Sequence, residues 1–167
     1  MNLNNLIQSL QKDNNKIFCK KIDKFIKNNI GHKLITFTAI DISKKYVERI
    51  YTNNPKIYPL LGQKPIPKNK WSNILNNNSK NYFIGKNKKE IQKLFFDYET
   101  IFSLGCGSII NFLVKVNKVP LGTINILDRE YKYKTSDIKK LETISIFTIP
   151  LFTNHRILME KKKWKID

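Results

Sequence analysis

The sequence predicts an α+β domain, an antiparallel sheet backed by helices from the two ends of the chain. Three observations predict it. Apolar residues recur at three- and four-residue steps at both ends. Two pairs of runs rich in β-branched and aromatic residues lie between them, each pair joined by a short link. A proline-rich stretch separates the pairs.

The first helix spans residues 3–27, through Leu3, Leu6, Ile7 and Leu10, then Ile17, Phe18, Ile22, Phe25 and Ile26. Asp13-Asn14-Asn15 is a point of breakage, and Gly31 a stop. HKLITFTAID (32–41) and KYVERIYTN (45–53) read as strands joined by a polar link at 41–44. In the first, Ile35, Phe37 and Ala39 share one face and Leu34 and Ile40 the other, because side chains alternate along a strand. Residues 54–69 hold four of the six prolines, Pro55, Pro59, Pro65 and Pro67. Proline disfavours helix interiors and central strands, so this is irregular structure. Its Tyr58, Leu60 and Leu61 call for burial, which makes it an ordered loop over the domain.

A short helix is expected near Trp71, then a strand at Tyr82-Phe83-Ile84 ended by Gly85, then an amphipathic helix over 88–96 carrying Ile91, Leu94 and Phe95. SIINFLVKV (108–116) and VPLGTINILD (119–128) are two strong strands joined by Asn117-Lys118. A last helix starts at Thr135 or Ser136 as N-cap and runs through Ile138, Leu141, Ile144, Ile149 and Phe152, kinked by Pro150. The boundaries follow: residues 1–30 for packing or dimerisation, 31–155 as the domain proper, and 156–167 as a basic tail.

A chain of 167 residues with 41% hydrophobic content suits one domain with a substantial core. Net charge is +18, which attracts anions and raises nucleic acid as a partner. Only three of the 31 basic residues are arginine: Arg49, Arg129 and Arg156. Bidentate phosphate and base contacts favour arginine. The lysine, asparagine and isoleucine excess is also what an AT-rich coding sequence produces. Nucleic acid is therefore a secondary alternative. Two cysteines, Cys19 and Cys106, make no disulfide framework and fit a reducing compartment. The N-terminus lacks the basic-then-apolar pattern of a signal peptide, and no apolar run spans a bilayer. The expectation is a cytoplasmic protein without a membrane contact.

The segments ITFTAID, ERIYTNNPKIYPLLGQKPIP, KNKW, YFIGK, FFDYETIFSLGCGSIINFLVKV and LGTINILD together resemble a stand-alone bacterial GAF domain. The most specific stretches are IYTNNPKIYPLLGQKP (50–65) and LGCGSIIN…LGTINIL (104–127). The resemblance implies a central antiparallel sheet of five or six strands, with N- and C-terminal helices on one face and a ligand pocket on the other, under loops and short helices. It implies a sensory or regulatory small-molecule binder, although some such domains only dimerise and a few are enzymes. Asn87, Lys88, Phe95, Asp97 and Glu99 do not reproduce the spacing of the cyclic-nucleotide signature. Cys106 lacks the context of a bilin attachment site. The placement of Cys19 in the leading helix argues against a free methionine sulfoxide reductase. No cofactor is specified.

Cys106 lies between Gly105 and Gly107, where a close backbone approach to a ligand is available. Three roles fit it: a nucleophilic or redox thiol, a pocket-lining thiol, or a small buried residue. His32, His155, Asp97 and Glu99 are the candidate bases, and Asp97 is carried with Cys106 as a catalytic candidate. Asn111 and Asn125 interrupt apolar strands, so each faces a ligand or makes an inter-strand bond. Ser108 is a weaker case of the same kind. Tyr58 and Trp71 either wall the pocket or pin the loop. Asp97 otherwise reads as a solvated helix cap. His32 and His155 have no metal-ligand spacing. The ligand set is thus Tyr58, Trp71, Cys106, Ser108, Asn111 and Asn125. The leading function is binding of a small molecule, with an anionic one favoured by the charge. The alternatives are a Cys106 enzyme and a lysine-rich nucleic-acid-associated protein. Terminal helices with excess apolar surface favour a homodimer.

Overall fold

The computed structural model describes residues 2–161 apart from 42, 44, 67–72 and 74–79. Two helices lead the chain, α1 (Leu3–Lys12) and α2 (Asn15–Asn29). The predicted break at Asp13-Asn14 is where they part. Asn14 caps α2, its side chain accepting from the Ile17 N–H at 3.0 Å. Gly31, at φ +88°, follows the C-terminus of α2, its N–H bonded to the Ile26 carbonyl.

Six strands form one antiparallel sheet: β1 (Leu34–Asp41), β2 (Tyr46–Thr52), β3 (Gln63–Pro65), β4 (Tyr82–Gly85), β5 (Ser108–Val116) and β6 (Val119–Asp128), in the order β3-β2-β1-β6-β5-β4. The segment read as wholly irregular thus contributes β3. Pro65 is tolerated because β3 is an edge strand. Asn117 and Lys118 join β5 to β6 with φ of 48° and 67°, the left-handed pair that matches hairpin twist.

Two short helices, α3 (Lys88–Gln92) and α4 (Tyr98–Ser103), follow β4. The helix expected over 88–96 stops at Gln92. The Phe95 N–H still reaches back to the Ile91 carbonyl, but the chain then turns and leaves Phe96 81% exposed. The expected helix near Trp71 lies outside the described residues apart from Asn73.

The last helical region is α5 (Thr135–Ser145), a 3-10 turn at Ile146–Thr148, and α6 (Ile149–Lys161). Lys134, not Thr135 or Ser136, is the N-cap, and Asp137 accepts from its N–H at 2.9 Å. Pro150 sits in the first turn of α6, where its missing N–H is harmless. The Ile146 carbonyl it would otherwise bond accepts instead from the Ile149 N–H in the 3-10 turn.

The core divides as the strand alternation requires. Ile35, Phe37 and Ala39 join the large cluster with α1, α2, α5 and α6, whereas Leu34 and Ile40 face the other side. A bulge between Phe37 and Thr38 keeps this division in β2: Arg49 pairs with Thr38, but Tyr51 pairs with Phe37, leaving Ile50 as the extra residue. Arg49 therefore faces away from the helices while Tyr51 enters their core. There the Tyr51 hydroxyl donates to Asp23 at 2.7 Å, and His32 lies 3.0 Å from the other Asp23 oxygen. Glu48, buried on the helix side, accepts from Gln63 and contacts His155 at 2.6 Å each, tying α6 to β2 and β3.

Candidate functional site

The face of the sheet turned away from the terminal helices carries a cavity of about 140 Å³. Its floor is Leu34, Thr36 and Thr38 of β1, Val47 and Arg49 of β2, Ile109 and Asn111 of β5, and Asn125 and Leu127 of β6. Tyr58, Lys64, Pro65, the turn Leu94–Asp97 and Ile101 of α4 close over it.

A polar row crosses the floor because its members are direct register partners: Thr36 opposite Asn125, and Asn125 opposite Asn111. Asn111 Nδ2 donates to Asn125 Oδ1 at 2.7 Å. Asn125 Nδ2 in turn reaches Thr36 Oγ1 at 3.1 Å, with Thr38 Oγ1 and the Thr36 carbonyl at 3.4 Å. The two asparagines therefore make an inter-strand bond and line the cavity together.

The charged part sits on one side. Arg49 Nη1 donates to the Pro59 carbonyl at 2.9 Å, and its guanidinium lies 4.9 Å from the centre of the Tyr58 ring. Gly62 makes this possible, because a Cβ there would stand 2.8 Å from Arg49 Nη1. The Tyr58 hydroxyl donates to Asp97 Oδ2 at 3.1 Å. Burial pushes the Tyr58 phenol up, and Asp97 reinforces this. Burial pushes the Arg49 guanidinium down, against the pull of Tyr58 and Asp97. The Lys64 ammonium is likewise pushed down by burial; Asp97 opposes that and Arg49 adds to it.

Asp97 is the N-cap of α4 yet makes no capping hydrogen bond. Its carboxylate is turned to Tyr58 and the cavity, which corrects the expectation of a solvated cap. Arg49, Lys64, Thr36 and Thr38 are lining residues that sequence does not single out. One signal for Arg49 was present: it is a rare arginine inside a strand, two residues from Val47 and on the same face.

Cys106 is placed elsewhere. It is fully buried in a cluster with Ile101, Ile109 and Leu127, and is not among the cavity's lining residues. The GCG sequence serves the end of α4. Gly105, at φ +69°, donates to the Phe102 carbonyl and Cys106 to that of Ile101, a paired helix stop. The Gly107 N–H bonds the Asp128 carbonyl at 2.7 Å. The amides expected to face a ligand are thus consumed by the fold. Ser108 is also buried off the cavity, its hydroxyl donating to the Arg129 carbonyl at 2.6 Å. His32 and His155 face Asp23 and Glu48 on the helix side. Trp71 lies outside the described residues. Tyr58, Asn111, Asn125 and Asp97 are the sequence candidates that the cavity brings together.

Burial pushes the Cys106 thiol up to about 11 and the Cys19 thiol to about 12, from an ordinary 9.0. Both cysteines should therefore resist alkylation by iodoacetamide in the native protein at neutral pH and react once it is unfolded. Because the folded state holds these protons longer, their contribution to stability is complete below pH 9. It is lost as pH rises from 9 through about 11 for Cys106 and about 12 for Cys19, read as a falling urea midpoint. Rapid native-state labelling of Cys106 would contradict the burial.

Among the described residues, no cluster of three His, Cys, Asp or Glu side chains could hold a metal ion. Nor is any helix there long and apolar enough to cross a membrane.

No protein-family model and no curated protein matches the sequence. Solved structures do match. The chain is similar to the GAF domain of a phosphoenolpyruvate-protein phosphotransferase from Coxiella burnetii, with a TM-score of 0.67 at 11% identity, covering 96% of this chain and 94% of that one. It is similar to the GAF domain of a two-component sensor histidine kinase from Bacillus halodurans, with a TM-score of 0.64 at 13% identity over 96% and 99%. A type II free methionine-R-sulfoxide reductase from Thermoplasma acidophilum matches with a TM-score of 0.63 at 13% identity over 92% and 96%. The six-stranded antiparallel sheet with helices on one face is a GAF-domain fold.

Proposed function

We propose that this chain is a small-molecule-binding GAF domain of a regulatory kind, with the ligand held between the sheet and the Tyr58, Lys64–Pro65 and Leu94–Asp97 stretches and bearing an anionic group. The observation that carries this is the pairing of two cations, Arg49 and Lys64, with a single carboxylate, Asp97, among the described lining residues of one cavity whose floor sets Leu34, Val47, Ile109 and Leu127 beside the polar row. An anion there meets Arg49 away from competing water, where charge-assisted hydrogen bonds are strong. Small-molecule sites are mostly apolar with a few convergent polar groups, and this cavity fits that pattern.

Native mass spectrometry of protein purified without added ligand, together with thermal melts against a panel of small mono- and dicarboxylates, tests it. The expected result is a co-purified mass or a saturable rise in Tm. In Arg49→Gln the rise should shrink at least tenfold in ligand sensitivity, the scale of one charge-assisted contact. No shift with any anion at millimolar concentration, and no co-purified mass, would overturn the proposal.

An enzyme working through Cys106 finds support in the reductase neighbour's fold, but the thiol's burial and raised pKa oppose it. The nucleic-acid alternative rests on net charge alone and predicts binding with a steep salt dependence. A homodimer is supported by exposed Leu3, Ile7 and Leu10 on α1 and Ile17 on α2. Sedimentation should give a dimer at micromolar concentration, and a monomer there rejects it.

A further inference from the structure

The cavity contains more than a cation pair. Three buried polar atoms on its lining residues have no hydrogen-bond partner among the described residues: Asn111 Oδ1, Asp97 Oδ1 and Arg49 Nε. Buried polar groups in folded proteins are almost always paired, so a group of orphans around one cavity marks what the occupant must supply.

Two of the three are acceptors, and the orientation of Asn111 is fixed by its neighbours. Asn125 Nδ2 points at the Thr36 backbone carbonyl, which can only accept. Asn125 must therefore turn its Oδ1 to Asn111, and Asn111 must answer with its Nδ2. That leaves Asn111 Oδ1 free. Asp97 Oδ2 is held by Tyr58 and its Oδ1 is bonded to nothing, although the residue stands at a helix N-cap where a carboxylate would ordinarily bond backbone amides. The charge count gives the other half. Arg49 and Lys64 against Asp97 leave one positive charge in excess among the lining residues.

We infer that the ligand is a monoanion that also donates N–H, a carboxylate carrying an amide with an aliphatic body, as in N-acyl derivatives of aliphatic amino acids. This rests on the proposal that the cavity is a ligand site. The carboxylate meets Arg49 and Lys64. The amide N–H meets the orphaned Asn111 Oδ1. The aliphatic part lies on Leu34, Ile109 and Leu127. A simple carboxylate or inorganic anion satisfies the cations but brings no donor for Asn111 Oδ1. A neutral amide does the reverse. A free amino acid, with no net charge, leaves the cavity's positive excess uncompensated.

The test is calorimetric titration of the full chain with four probes: N-acetyl-leucine, 4-methylpentanoate, N-acetyl-leucinamide and leucine. N-acetyl-leucine should bind at least tenfold tighter than each of the others. In Asn111→Leu its advantage over 4-methylpentanoate should fall to within about twofold; an advantage that stays tenfold overturns the assignment of the amide to Asn111. Thermal melts establish that the variant is folded, and the four-probe ranking of the unaltered chain stands without it. Equal affinity for 4-methylpentanoate and N-acetyl-leucine would overturn the inference and leave an anion site standing. Tightest binding of leucine would also overturn it. Absence of binding by all four overturns this inference; the carboxylate panel then decides whether the anion-site proposal falls with it.

Discussion

Replacing Gly122 with alanine should lower the stability of the fold by about 2–3 kcal/mol, read as a lower urea midpoint at unchanged slope. Gly122 is in β6, opposite Ala39 of β1 and Val114 of β5. Phe152 of α6 fills the space above it and is fully buried. A Cβ at Gly122 would stand 2.3 Å from Phe152 Cδ1 and 2.7 Å from the Thr38 carbonyl oxygen. The ring cannot simply rotate away, because a close-packed core leaves it no empty volume. The carbonyl belongs to the sheet backbone and cannot yield without disturbing β1. The expected loss is therefore overpacking, not altered propensity. Combining it with Phe152→Leu should recover part of the loss, since the shorter side chain vacates the position. An unchanged midpoint for the alanine variant would mean that α6 does not sit on β6 as described.

Asn125→Leu should cost about 2–3 kcal/mol, for a different reason. The leucine has nearly the same size, so little packing is lost. What is lost is the centre of the polar row. Asn111 Nδ2 loses its acceptor at 2.7 Å, and the Thr36 hydroxyl loses its contact at 3.1 Å. Asn111 is only 4% exposed and cannot turn to water instead. The double variant Asn111→Leu/Asn125→Leu removes both amides. It should be more stable than the sum of the two single changes predicts, by about 1 kcal/mol or more. Strict additivity would contradict a direct bond between the two amides.

Much of the fold is legible in the sequence because its causes are local. Ile35, Phe37 and Ala39 share a face through the two-residue period of a strand, and they meet the terminal helices as expected. The Asn117-Lys118 turn, the breaks at Asp13-Asn14 and Gly31, and the ends of β5 and β6 follow from residue types that set or stop a backbone conformation. β3 and the early end of α3 were less legible. β3 exists only because β2 offers it an edge.

The candidate site divides in the same way. The interruption of apolar strands by Asn111 and Asn125 marked them from sequence, and Tyr58 and Asp97 were candidates on residue type. Residue type could not say that both Asn111 and Asn125 face one cavity while Cys106 and Ser108 lie off it. Cys106 looked exposed to a ligand because glycines flank it. In the folded chain those glycines close the end of α4 and let β5 begin. The sequence by itself determined the strand faces, the turns and the α+β class, all properties of neighbouring residues. Only the tertiary structure decided that a bulge opposite Phe37 and Thr38 turns Tyr51 to the helix side, away from Arg49, and that Asp97 abandons its helix cap for Tyr58. Those outcomes depend on register and on contacts between segments far apart in the chain, where local periodicity carries no information.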